Sequence, residues 1–330
     1  MKAIKFFAIS AMAAAMITSC SSEDELSQSN YPSDNIVRVT AGVNNAKTRA
    51  EGAGTEMKKD FSLTIVNKNA PKYTYTDKVF SKTSGDWACS ETLLWQKSDA
   101  LVDIVAFAPA QTGKFNGVYA NGSIQPIAYS VASDQSSDQS TSSDNNDLLY
   151  YYAKDFNPGE SLDKGKLNIQ FNHAFCMIDI VVTLGTEFNK PSIPTTSPIV
   201  KVTLGGTKIA ANVDVTNAAS VVTASGEATA TDITTTNGSF TTAADPEKNA
   251  ISHFSCIAIP QTVGANTFKV SLMTAGKRYE WTSDKEITLQ SGYRYTLNLS
   301  MGNDVVLLKG GSISATPWTE ITSDKPLETD

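Results

Sequence analysis

Few residues in this chain have side chains suited to chemistry. It carries two histidines, His173 and His253, and four cysteines, Cys20, Cys89, Cys176 and Cys256, in 330 residues. Nucleophilic catalysis needs an imidazole held between a Ser or Cys and a carboxylate. His173 follows Phe171 in an alternating apolar stretch and His253 opens another, and neither neighbours a G-x-S-x-G turn. Both read as histidines packed into structure. Zinc sites need clustered Cys and His, yet no C-x-x-C or H-E-x-x-H spacing occurs, and no glycine-rich phosphate loop is present. The Asp-rich run 133–147 lacks the order of a calcium loop and reads as a solvated surface segment. A glycosidase needs two converging carboxylates, and nothing among the 34 Asp and Glu residues singles out a pair. Trp87, Trp95, Trp281 and Trp318 sit in strand-like contexts that favour core packing over sugar stacking. The expectation is a protein that is not an enzyme, with no cofactor and no metal.

The elements around these residues point the same way. Charged residues are 18% of the chain, whereas Ser and Thr make up about a fifth. Exposed helix faces want Glu, Lys and Arg, while Thr, Val and Ile suit a pleated, half-buried surface. From residue 36 onward short β-rich runs alternate with turn clusters, and no amphipathic helix of three turns is evident. Residues 36–43, 61–66, 72–76 and 101–108 read as strands, and 167–171 running into 177–182 gives the longest strand signal. The stretch 293–300 alternates most cleanly, Tyr and Leu against polar residues. Strands of this length with frequent turns favour antiparallel sandwiches. Pro191, Pro194 and Pro198 in 188–198 remove ladder donors and suggest a boundary, giving units at 36–190 and 191–330. The formal net charge of −7 offers no basic field for phosphate, so no nucleic-acid partner is expected.

The first twenty residues are an export address. Lys2 and Lys5 precede an apolar run too short to span a bilayer, ending in Ile17-Thr18-Ser19-Cys20. That ending is similar to the bacterial lipobox, which implies acylation of Cys20 with palmitate-type chains and a firm anchor to the outer membrane. The acidic, aperiodic segment 21–35 reads as a tether. Cys89, Cys176 and Cys256 remain. Cys176 and Cys256 fall in apolar strand-like runs and read as buried thiols, and nothing in their spacing selects a disulfide.

Several short motifs, taken in order, resemble the fimbrillin family, the lipoprotein-precursor subunits of type V pili. They are the lipobox and tether, an early strand before Ala46-Lys47-Thr48-Arg49-Ala50, Leu94-Trp95, then Ile104-Val105-Ala106-Phe107-Ala108-Pro109. Asp147-Leu148-Leu149-Tyr150, Leu167-x-Ile169-x-Phe171-x-His173-Ala174, Ser291-Gly292-Tyr293-x-Tyr295 and a closing Trp318 follow. The resemblance implies an all-β fold of two transthyretin-like antiparallel sandwiches in tandem. It implies a lipoprotein precursor in the outer membrane that an Arg-specific protease cuts between Arg49 and Ala50, and a product that joins other pilus subunits at the cell surface in a fimbrium. On this expectation the displaced first strand carries Ile36, Val37, Val39, Ala41 and Val43.

Elementary physics gives the same expectation a mechanism. Stripping an integral strand leaves unpaired N–H and C=O groups beside an apolar groove, and a strand from a neighbour satisfies both. A head-to-tail contact of this kind extends into a filament. Val305, Val306, Leu307 and Leu308 form the candidate donor strand, since the polar tail 319–330 is a poor one. The alternative expectation is a surface lipoprotein that never polymerises and binds glycan or a host or bacterial surface protein through its loops.

Overall fold

The computed structural model describes residues 30–44, 55–111, 113–137, 146–308 and 313–318. Within them the chain is all-β. Its only helical elements are one turn of α-helix at Pro158–Ser161, capped by the Asn157 side chain, and 3-10 turns at Pro71–Tyr73, Asn116–Val118 and Thr186–Asn189.

One eight-stranded sheet runs, in spatial order, through Thr55–Glu56, Arg38–Val43, Lys166–His173, Leu149–Phe156, Val102–Ala108, Phe61–Val66, Tyr75–Thr83 and Asp86–Cys89. A second large sheet runs through Thr236–Thr241, Ile251–Ala258, Cys176–Leu184 and Tyr293–Met301, whose outer side carries both Val306–Leu308 and Ser314–Pro317. It packs with a four-stranded sheet of Ile233–Thr234, Ile199–Gly205, Lys269–Thr274 and Arg278–Thr282. Among the described residues the named strands pair antiparallel except at two places, and the isolated Asp134–Thr234 bridge is also parallel. Arg38–Val43 runs parallel to Lys166–His173, and Cys176–Leu184 runs parallel to Tyr293–Met301.

Burial explains the strand patterns. Cys176, Ile178, Ile180, Val182 and Leu184 point inward and are fully buried, with half-buried residues between them. Val102–Ala108 is buried on both faces because each face serves a different core. Ile104, Ala106 and Ala108 join a first cluster with Phe61, Leu63 and Phe171, whereas Val105 and Phe107 join a second with Phe115, Phe175 and Leu297.

That strand is shared by the two cores. The chain passes from the first cluster to the second at His173–Cys176, so Cys176–Leu184 belongs to the second core, and the stretch 167–182 is two strands in different sheets. In the proline-bearing segment 188–198, Phe188 and Ile193 pack on the second cluster, and Asn189 Nδ2 donates to the Pro246 and Lys248 carbonyls. Proline removes donors but does not prevent packing. Ile127–Ser130 also crosses the expected boundary, pairing with Ala210–Val213. Of the strand expected at 72–76, Lys72 and Tyr73 lie in a 3-10 turn that Pro71 starts, while Tyr75 and Thr76 open the strand Tyr75–Thr83.

Candidate functional site

The first strand has a full-length partner on one side, while its other side is held at its end by a two-residue strand and by the Met57 amide on the Ala41 carbonyl. Arg38–Val43 pairs with Lys166–Phe171 residue by residue, while its other side meets Thr55–Glu56 only at Gly42 and Val43. Just before it, the Val37 amide donates to the Leu93 carbonyl at 2.9 Å, the Trp95 amide to the Asn35 carbonyl at 2.8 Å, and Ile36 bridges Leu94. These bonds tie the start of the strand to residues 93–95.

β-branched residues at alternate positions put Val37, Val39 and Val43 into the first cluster beside Leu167, Ile169 and Phe171. Ile36 and Ala41 are half-buried, and Arg38 and Thr40 face solvent. Each buried valine contributes up to about 1.5–3 kcal/mol, so the strand is integral to the core. Arg38 Nη2 lies 2.6 Å from Asp34 Oδ2, and this guanidinium, with the Ile36 amide, holds the Asp34 carboxyl well below the usual carboxylate range. Arg38 is thus engaged by both backbone and side chain. Cys20, Arg49 and Ala50 lie outside the described residues. Segment 45–54 joins Asn44, whose amide bonds the Phe171 carbonyl, to Thr55.

The second part of the site is the outer side of Tyr293–Met301. Val306–Leu308 covers Leu299, Ser300 and Met301, and Ser314–Pro317 covers Tyr293 through Thr296. Val306 is buried, but Val305 and Leu307 are 50% and 58% exposed. They project from one face two residues apart, the spacing of Val37 and Val39. The turn before them is fastened by Lys277 Nζ, 2.7 Å from Asp304 Oδ1, and by Tyr279 Oη donating to the Asn303 carbonyl at 2.9 Å.

Trp318 seals the end of this cover. Its amide donates to the Gly292 carbonyl at 2.7 Å, and its ring stacks on His173 with centroids 3.9 Å apart. His173 Nδ1 lies 2.9 Å from Asp147 Oδ1, both residues being buried. The sequence motifs Asp147-Leu148, His173-Ala174 and Trp318 therefore meet in one packed cluster at the junction of the two cores. This arrangement positions the strand Ser314–Pro317. Sequence reasoning treated these residues separately, and nothing in their spacing joins them. His253 is half-exposed and lies elsewhere, and Cys89, Cys176 and Cys256 are free thiols. Among the described residues no group of His, Cys, Asp and Glu is arranged to hold a metal.

The chain matches the fimbrillin-like family over residues 48–318 and belongs to that family. Solved structures with the same fold include a putative cell adhesion protein from Bacteroides ovatus, 17% identical with a TM-score of 0.59, covering 88% of this chain and 99% of its own. Another from Bacteroides uniformis is 15% identical with a TM-score of 0.53, covering 87% and 100%. A fimbrial protein from Bacteroides vulgatus is 16% identical with a TM-score of 0.51, covering 86% and 99%. No curated protein matches the sequence. Family membership supports a cell-surface fimbrial subunit that associates with other pilus subunits, and suggests a non-enzymatic protein.

Proposed function

We propose that this chain is a structural pilus subunit exported as a lipoprotein, cut after an arginine and polymerised head-to-tail by strand exchange. Lipid on Cys20 holds the precursor at the outer membrane. An Arg-specific protease cuts between Arg49 and Ala50, which separates residues 36–43 from the body together with the anchor. The freed groove beside Lys166–His173 then takes a strand from the next subunit, with Val305, Val306, Leu307 and Leu308 as the donor. The finished subunit resides at the cell surface in a fimbrium and supports adhesion.

One observation carries this reading: a buried, apolar first strand has a full-length partner on one side only. Such a strand leaves behind both a hydrophobic groove and a row of unpaired backbone groups, the two features a neighbour's strand satisfies. The donor argument rests on exposure, since Val305 and Leu307 already face solvent at the edge of the second sheet.

Trypsin under native conditions provides the test. The expected result is an early cut after Arg49, with Arg38 spared, followed by polymers whose length grows with protein concentration. Scattered cuts and a persistent monomer would contradict the reading. The N-terminal residue of protein sheared from cells gives a second readout, Ala50 for the processed subunit against lipidated Cys20 for an unprocessed one.

A further inference from the structure

A cavity of about 470 Å³ opens at the edge of the second large sheet, between the bulged strand Thr236–Thr241 and the start of Ile199–Gly205. Its size lies in the range of small-molecule sites. The lining contains no Asp, Glu, Lys or Arg. It presents instead amide, hydroxyl and imidazole groups from Asn237, Ser239, Thr196 and His253, with the half-buried ring of Phe240 and the exposed Val200 as apolar surface. Ser197 and Ser252 bond each other at 2.8 Å. The side chains of Asn237, Ser239 and Thr196 keep their hydrogen-bonding capacity unused within the described residues.

That combination restricts the ligand. A charged ligand would find no opposite charge in the lining. An apolar one would strip water from Asn237, Ser239 and Thr196 and give nothing back, which is unfavourable. A neutral polyhydroxylated ligand matches both halves: its hydroxyls meet the free amide and hydroxyls, and the C–H face of a sugar ring covers Phe240 and Val200. An added peptide strand fits less well. The register shifts between Asn237 and Phe240, and Gly238 lies so close to the neighbouring strand that a Cβ there would sit 2.9 Å from the His253 carbonyl. Such a bulge breaks the regular edge ladder that strand addition needs.

We propose that this recess binds a neutral sugar residue of a surface glycan. The site lies apart from the first strand, and the inference does not depend on strand exchange.

The two histidines make the test direct, because His253 lines the recess and His173 is buried elsewhere. The intact chain, isotopically labelled, is titrated with D-galactose, D-mannose, L-fucose and N-acetyl-D-glucosamine to roughly ten millimolar, a range that detects millimolar binding. The expected result is a saturable shift of the His253 ring and Asn237 side-chain signals with at least one sugar, the His173 signals staying in place. Asn237→Ala and Phe240→Ala should each weaken that binding about tenfold, and Val200→Trp, which fills the recess, should abolish it. Unchanged thermal unfolding verifies that each variant is folded. Three results overturn the proposal: no saturable shift with any of the sugars, shifts indifferent to all three variants, or an extended peptide that moves the Thr236–Thr241 amides while the sugars leave His253 unmoved. Polymerisation after trypsin is unaffected by any of these results, so the two ideas fail separately.

Discussion

Two strands of this molecule occupy the same place in their respective cores. Arg38–Val43 opens the first cluster and runs parallel to Lys166–His173. Cys176–Leu184 lies in the second and runs parallel to Tyr293–Met301. There the likeness ends. Cys176–Leu184 has a second full partner in Ile251–Ala258 from Cys176 through Thr183, and its inward residues are fully buried. Among the described residues Arg38–Val43 has on its other side the two-residue Thr55–Glu56 and the Met57 amide on the Ala41 carbonyl, and Val37 and Val39 retain 6% and 5% exposure. Removing Cys176–Leu184 breaks two long ladders, whereas removing Arg38–Val43 breaks one long ladder, a two-residue one and the bonds to residues 93–95. The same topology thus gives one strand two long ladders and the other a single long ladder.

Substitutions can break this contrast. Ile180→Asp places a charge in the second core and should cost more than about 4 kcal/mol, unfolding that half of the molecule. Val39→Asp should cost about 2–3 kcal/mol, because its strand can peel outward and carry the charge to water. Chemical denaturation followed by tryptophan fluorescence measures both. Equal losses would erase the distinction.

Trp318→Ala tests the cover on the second edge. It removes the His173 stack and should cost about 3 kcal/mol, with faster amide exchange in Tyr293–Thr296 than in Met177–Thr183. Unchanged exchange at Tyr293–Thr296 would show that Ser314–Pro317 holds without its anchor.

Thiol labelling sharpens the comparison further. Burial pushes the Cys176 and Cys256 thiols far up, so both stay protonated in the folded protein. Cys89, half-exposed on the margin strand Asp86–Cys89, should be alkylated more than about tenfold faster than either, as peptide mass analysis would reveal. Comparable rates would mean that the second core opens as readily as the first.

The smallest effect concerns the entry to the first strand. Asp34 has a lowered pKa in the folded protein, so its contribution is present above the ordinary Asp value of about 3.9 and is lost as pH falls below it. Asp34→Asn should therefore flatten the acid side of the urea midpoint plotted against pH and leave the neutral side nearly unchanged. A variant that follows the parent at acid pH would remove Asp34–Arg38 as a fastening.

Much of this architecture was readable from side-chain alternation, and its failures have physical causes. Tyr293–Met301 stood out because a buried face imposes a period of two, and Phe61–Val66 alternates in residue type although both of its faces are buried. The break at Ala174–Phe175 did not, since no Gly or Pro marks it and both flanking strands keep the same apolar rhythm. The parallel partnership of Arg38 with Lys166 leaves no local trace in either segment. The recess at Asn237–Ser239 was hidden in a Thr- and Ala-rich tract that reads as exposed strands and loops. Gly238 inside an otherwise strand-like run was the available signal for a bulge there. Cys20, Arg49 and Ala50 rest on sequence alone.

The proposed exchange of the first strand is tested most directly by adding it back. The chain cut after Arg49 and freed of its N-terminal fragment is mixed with a synthetic peptide of residues 36–43, and polymer length is followed by sedimentation. The account predicts that the cut chain polymerises alone and that excess peptide binds it and stops growth. Peptide that fails to bind, or polymers that grow undisturbed in its presence, would contradict it.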